Sequence, residues 1–136
     1  MSFLDQLFSF LKPSAAARPA QQKEEADCKP SRVPASTEAR AWLRDNENQY
    51  PFAGEAFSKS EIARHVEDLY QAGASRVTIS GIYKEPRRIA RDCGPYAATL
   101  LVTPKKGKKA ALMAILKSRG PDELDFRNGK IRAWWD

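Results

Sequence analysis

The stretch from Phe57 to Tyr83 carries the strongest local folding instructions in the chain. Ser58 and Glu61 form an S-x-x-E capping box, in which each side chain satisfies a backbone N–H that the first helical turn leaves free. Phe57 before the cap and Ile62 four positions into the helix match a hydrophobic staple. Ile62, Val66, Leu69 and Tyr70 recur at helical spacing and define one apolar stripe. Gly73 stands where a helix ends at positive φ. The run RVTISGIY, residues 76–83, then alternates Val77 and Ile79 with Thr78 and Ser80, the period of a half-buried strand. Gly81 inside it marks an expected bulge.

The same grammar returns downstream. YAATLLVT, residues 96–103, reads as a second strand and hairpin partner of the first, across a loop rich in Pro and Arg at 84–95; Pro104 stops it. KKGKK leads into AALMAILKSRG, a helix with Leu112, Ile115 and Leu116 inward and Gly120 at its end. In LDFRNGKIRAWWD, Asn128-Gly129 between two alternating runs specifies a type I′ hairpin. Leu69-x3-Gly73-x3-Val77-x-Ile79 matches Leu116-x3-Gly120-x3-Leu124-x-Phe126, a spacing that a repeated αββ unit would give and that any helix–Gly–strand unit shares.

The expected fold is therefore α+β: a four-stranded, mostly antiparallel sheet with two main helices on one face, in the order αββαββ. Alternation places Val77, Ile79, Leu100, Val102, Leu124, Phe126, Ile131, Ala133 and Trp135 under the helices. Thr78, Ser80, Ile82, Thr99, Leu101, Asp125, Arg127, Arg132 and Trp134 face away. A short helix holding Ala39, Trp42 and Leu43, capped by Ser36 or Thr37, opens the domain at 36–136. Residues 46–57 read as a loop anchored by Tyr50, Phe52 and Phe57.

Ahead of the domain, residues 13–35 are Pro, Ala, Ser, Gln, Lys and Glu with no aromatic, the composition of a disordered linker. Residues 1–12 carry Phe3, Leu4, Leu7, Phe8 and Leu11 on one helical face, a short amphipathic helix that needs a surface to dock on. Asp5 interrupts this apolar stretch and no Lys or Arg precedes it, so it is not expected to act as a secretory signal. No apolar run nears the roughly 20 residues of a transmembrane helix.

Function is less legible. Cys28 and Cys93 are far apart, with no CxxC; a single His removes HExxH; neither a metal site nor a cofactor is expected. Two isolated cysteines suit a reducing, cytoplasmic setting, with peripheral membrane contact open through residues 1–12. A Cys93–His65 nucleophile pair would need the two to meet, which no spacing requires. Glu61, one turn before His65, is a candidate partner for it, and Asp122, Glu123 and Asp125 read as turn and outer-face residues.

Binding has more support than catalysis. The outward face offers Ile82, Leu101 and Trp134 beside Arg127 and Arg132, a surface for a protein partner or a second copy. Together with Phe3, Leu4, Leu7, Phe8 and Leu11, these residues support a non-enzymatic interaction protein. The alternative is a nucleic-acid or polyanion binder. Its basis is a formal charge of +6 and two basic loops, Lys84, Arg87, Arg88 and Arg91 in the first hairpin and Lys105, Lys106, Lys108 and Lys109 before the second helix. In a simple hairpin these loops lie at opposite ends of the sheet.

Overall fold

The computed structural model describes residues 33–54 and 56–136. The amphipathic segment at 1–12 and nearly all of the 13–35 linker lie outside the described residues. The elements run α1 (Ala39–Asp45), α2 (Lys59–Gln71), β1 (Ala74–Tyr83), α3 (Pro86–Asp92), β2 (Tyr96–Pro104), α4 (Lys109–Ser118), β3 (Glu123–Arg127) and β4 (Lys130–Trp134). The strands form one antiparallel sheet in the order β1-β2-β4-β3. The α+β class and the four-stranded antiparallel sheet are as expected. The simple αββαββ order is not: α3 occupies the loop expected at 84–95. Its sequence signal was Pro86, which reads as a loop residue but is also favoured at the first turn of a helix. Cys93, at φ 69°, ends the turn.

Helix α2 follows its sequence signals. Ser58 accepts from the Glu61 amide, and the Glu61 carboxylate accepts from the Ser58 amide at 2.8 Å. Ile62, Val66 and Leu69 are buried from α2, and Leu112 and Leu116 from α4. They join Val77, Ile79, Leu100, Val102, Ile131 and Ala133 in one core with Trp42, Leu43 and Phe52. The expected inward set is thus buried, with Leu124 half-buried at the margin and Phe126 the exception, 41% exposed. Asn128 and Gly129 both take positive φ, the type I′ conformation.

Three local expectations are corrected. The register passes through Gly81 unshifted, from Ser80↔Thr99 to Ile82↔Ala97, and the irregularity lies at Ala74/Arg76 instead. Gly81 is still required, because at φ 59° a Cβ there would meet Thr99 Oγ1 at 2.8 Å. The cap of α1 is Glu38, whose carboxylate accepts from Ala41 N at 2.9 Å; Ser36 instead accepts from Glu38 N. Tyr50 does not anchor its loop, being 53% exposed.

Glu38 also closes the free edge of the sheet. It bridges Thr78, while Ile79 N donates to Thr37 O. Tyr70 Oη donates to Glu38 Oε2 at 2.5 Å and accepts from Val77 N at 3.0 Å. Arg40 lies 3.8 Å over the Tyr70 ring and forks onto Glu67. Burial pushes the Glu38 carboxyl up, but the Tyr70 hydroxyl, the Ala41 and Arg40 amides and the Arg40 charge outweigh it and hold it below its ordinary value. Burial and the hydrogen bond to Glu38 push the Tyr70 hydroxyl above its ordinary value. A depressed carboxylate stabilises the fold above its unfolded pKa and loses that contribution as pH falls through the folded one. A raised phenol stabilises below its unfolded pKa and loses that as pH rises through its folded one. Stability is therefore expected to fall at both flanks, and Glu38→Gln flattens the acid flank specifically. Denaturant midpoints from pH 3 to 7, wild type against variant, check this; parallel curves would contradict it.

Candidate functional site

Residues 46–57, expected only as a loop, are tied to the chain leaving α3. Asn46 and Asn48 are almost wholly buried. Asn46 Nδ2 donates to Pro95 O at 2.9 Å, and Asn48 Nδ2 donates to Gly94 O and Pro95 O. Their side-chain oxygens accept from Asn48 N and Tyr50 N. Lys59 Nζ donates to Asn46 O. Phe52 then pairs in parallel with Ala97, beyond the end of β4. Most buried polar groups in folded proteins are paired, and these pairs fasten the loop; no sequence periodicity announced them.

The candidate catalytic groups are not assembled. Cys93 is disulfide-bonded and so supplies no thiolate nucleophile, against the expectation of reduced cysteines. The chain's other cysteine, Cys28, is outside the described residues. His65 does not pair with Glu61. Its Nε2 lies 3.4 Å from Arg119 NH1, its ring stands edge-on to Phe57, and its Nδ1 is buried without a hydrogen-bond partner among the described residues. Arg119 in turn binds Asp68 at 3.0 Å. The cavity against His65, lined also by Ile62, Leu69, Leu100 and Trp135, is about 10 Å³ and admits at most one water. A shallow hollow of about 430 Å³ beside Tyr50 presents Ser58, Lys59 and Ser60, but Ser58 Oγ caps α2 and Lys59 holds Asn46. Asp122 accepts from Asp136 N, and Glu123 and Asp125 face Arg132. Among the described residues no cluster of His, Cys, Asp or Glu could hold a metal ion, and no helix is long and apolar enough to cross a membrane.

The outward sheet face does gather its expected residues. Thr99↔Trp134, Leu101↔Arg132 and Ile82↔Ala97 are cross-strand pairs on that face. Ile82, Leu101 and Trp134 are each only partly exposed. Arg132 is engaged by Glu123 at 3.0 Å and Asp125 at 3.9 Å. Arg127 is exposed at the β3 end and makes no ion pair with a described residue.

The two basic loops lie apart, as the hairpin geometry required. β1 and β2 pair from Ala74↔Pro104 to Tyr83↔Tyr96, a ladder of about 30 Å at ~3.3 Å per residue. At the Tyr83 end the cations are partly occupied. Arg88 stacks 4.2 Å from the Tyr96 ring and lies 4.0 Å from Glu85, and Arg91 binds Asp92 at 2.8 Å. Tyr83 stacks on Tyr96.

The other end is different. Lys105, Lys106, Lys108 and Lys109 project there, and strand order adds cations that linear sequence did not group with them. Arg76 pairs with Thr103, and Lys130 stands one step beyond the pair Val102↔Ile131, opposite Arg127 across the turn. Arg76, Thr103, Lys130 and Arg127 thus form one row across all four strands, roughly 14 Å wide. Lys109 Nζ lies 4.0 Å from the centre of the Phe126 ring, joining the lysine loop to the hairpin. None of these seven cations makes an ion pair with a described residue. On the elements leading into this end, Glu67 binds Arg40, Asp68 binds Arg119, and Glu123 and Asp125 face Arg132.

Comparison with known protein families, with curated proteins and with solved structures finds no match.

Proposed function

We propose that this chain is a non-enzymatic binding protein that takes a polyanion on the end of its sheet formed by residues 105–109 and the 127–130 turn. The observation that carries this reading is the concentration of seven unpaired cations there: Arg76, Lys105, Lys106, Lys108, Lys109, Arg127 and Lys130. Side chains left without an ion-pair partner among the described residues keep their charge available, and their like-charge repulsion is relieved when an anion binds. Helix α3, with Arg87, Arg88 and Arg91, supports an anion site less well, since Arg88 and Arg91 already have partners.

Protein contact through the outward face has weaker support. Arg132 is neutralised by its neighbours, and Ile82, Leu101 and Trp134 are half-buried. The disulfide at Cys93 favours an oxidising compartment over the reducing cytoplasm read from the cysteine count.

The test uses inorganic polyphosphate, with affinity measured across salt concentrations. Binding should weaken linearly on a log–log plot as counterions are released. Changing Lys105, Lys106, Lys108 and Lys109 to Ala should lower the slope by about one for each lysine that meets a phosphate. Changing Arg87, Arg88 and Arg91 should leave the slope in place. Salt-insensitive binding, or equal losses in both variants, would remove the proposal.

A further inference from the structure

We infer that the polyanion is a single-stranded nucleic acid, and that one of its bases stacks on Phe126. This rests on the polyanion reading and adds a ligand class to it.

Phe126 is where the core pattern breaks. It shares the inward ladder face with Leu124 and stands directly opposite Ile131, which is fully buried. Yet Phe126 is 41% exposed, because it stands on the edge strand β3, one strand beyond the buried Ile131. A strand position whose alternation calls for burial instead holds a large flat ring at the rim. The ring stands among cations. Lys109 lies over it, Arg127 follows it in the strand, and the 128–129 turn carries the chain directly to Lys130. Both sides of the sheet end contribute: the row Arg76–Lys130–Arg127 on the outward face, and Lys109 with Phe126 on the helix side.

An exposed aromatic ring bordered by unpaired cations matches the two things a single strand presents at once, a free base face and a phosphate. Lys109 is held at the ring only by a cation–π contact at an exposed site. A base offers the ring a larger flat contact, and the displaced ammonium is then free to turn to a phosphate. A fully paired duplex offers no free base face. A polyphosphate or sulfated chain would use the cations and leave the ring idle. An anionic membrane surface would also use the cations, but one ring gives it little apolar area to bury.

The experiment compares a short labelled oligothymidylate with an abasic strand of the same phosphate count, and with vesicles containing phosphatidylserine, all on the full chain at low salt. Wild type should bind the oligothymidylate at least about tenfold more tightly than the abasic strand, the range of one stacked base. Phe126→Leu keeps apolar bulk but loses the flat face. It should reduce oligothymidylate affinity to the abasic level without changing abasic binding. Phe126→Trp should keep the preference, and its emission should be quenched on binding. Equal affinity for both strands, unchanged in Phe126→Leu, would overturn the stacking inference while leaving the polyanion reading in place. Binding to vesicles but to neither strand would overturn the ligand class. No binding to either strand, the vesicles or polyphosphate would remove both readings.

Discussion

Gly94→Ala should destabilise the fold by about 3–5 kcal/mol, near the upper end of what a single methyl group does. Gly94 does not need a positive φ, so the effect is steric and not conformational. A Cβ at this position would run into the Asn46 side-chain oxygen and would sit 3.1 Å from Asn48 N. Asn46 cannot yield easily, because it is fully buried and its amide is used at both ends, toward Pro95 O and Asn48 N. Expelling it leaves several buried polar groups unpaired, each costing roughly 1–3 kcal/mol. Gly107→Ala is the internal comparison: nothing lies within 4 Å of its Cβ position, and only its φ of 78° opposes substitution. Its cost should be about 1–2 kcal/mol. Denaturant midpoints at constant m-value separate the two, and a Gly94→Ala loss below that of Gly107→Ala would contradict this account of the loop.

Phe52→Ala should be nearly as severe, about 3–5 kcal/mol from lost burial and the cavity left behind. Phe52 is fully buried, with its ring centre 5.4 Å from Trp135 and 6.1 Å from Phe57. It is the apolar counterpart of the Asn46–Asn48 fastening: backbone pairing at Ala97 holds the loop, and the ring fills the space beneath it. The near-ultraviolet dichroism of Trp135 should weaken along with stability. The two substitutions act on one loop, so their effects should not add. A loss under about 1 kcal/mol would show that the loop, not the core, carries Phe52.

Signals that act over a few residues were legible in the sequence. The Ser58–Glu61 box, the Ile62–Val66–Leu69 stripe, the strand alternation from Val77 and the Asn128-Gly129 turn each depend on near neighbours, and the structure keeps them. Helix α3 was missed because Pro86 carries two opposite local meanings, and the residues after it bury none of their side chains to reveal a stripe. Asn46 and Asn48 were missed because their partners lie 46 to 49 residues away. The candidate site divides the same way. Lys105 to Lys109 were visible as a run, and Arg127 was singled out as an outward-face residue. That Arg76, Arg127 and Lys130 share their end of the sheet follows from the order β1-β2-β4-β3, which pairs β4 with β2. Only the strand order brings the unpaired cations together, and it also puts Phe126 on the edge strand β3, where the ring is exposed.

The central claim is where the anion binds, and amide-resolved NMR titration with inorganic polyphosphate at low salt tests it most directly. The account predicts that the largest shifts fall at Arg76, residues 105–109 and residues 127–130, that they saturate together, and that added salt reverses them. Shifts centred on residues 84–91, or on Ile82, Leu101 and Trp134, would place binding elsewhere and contradict it.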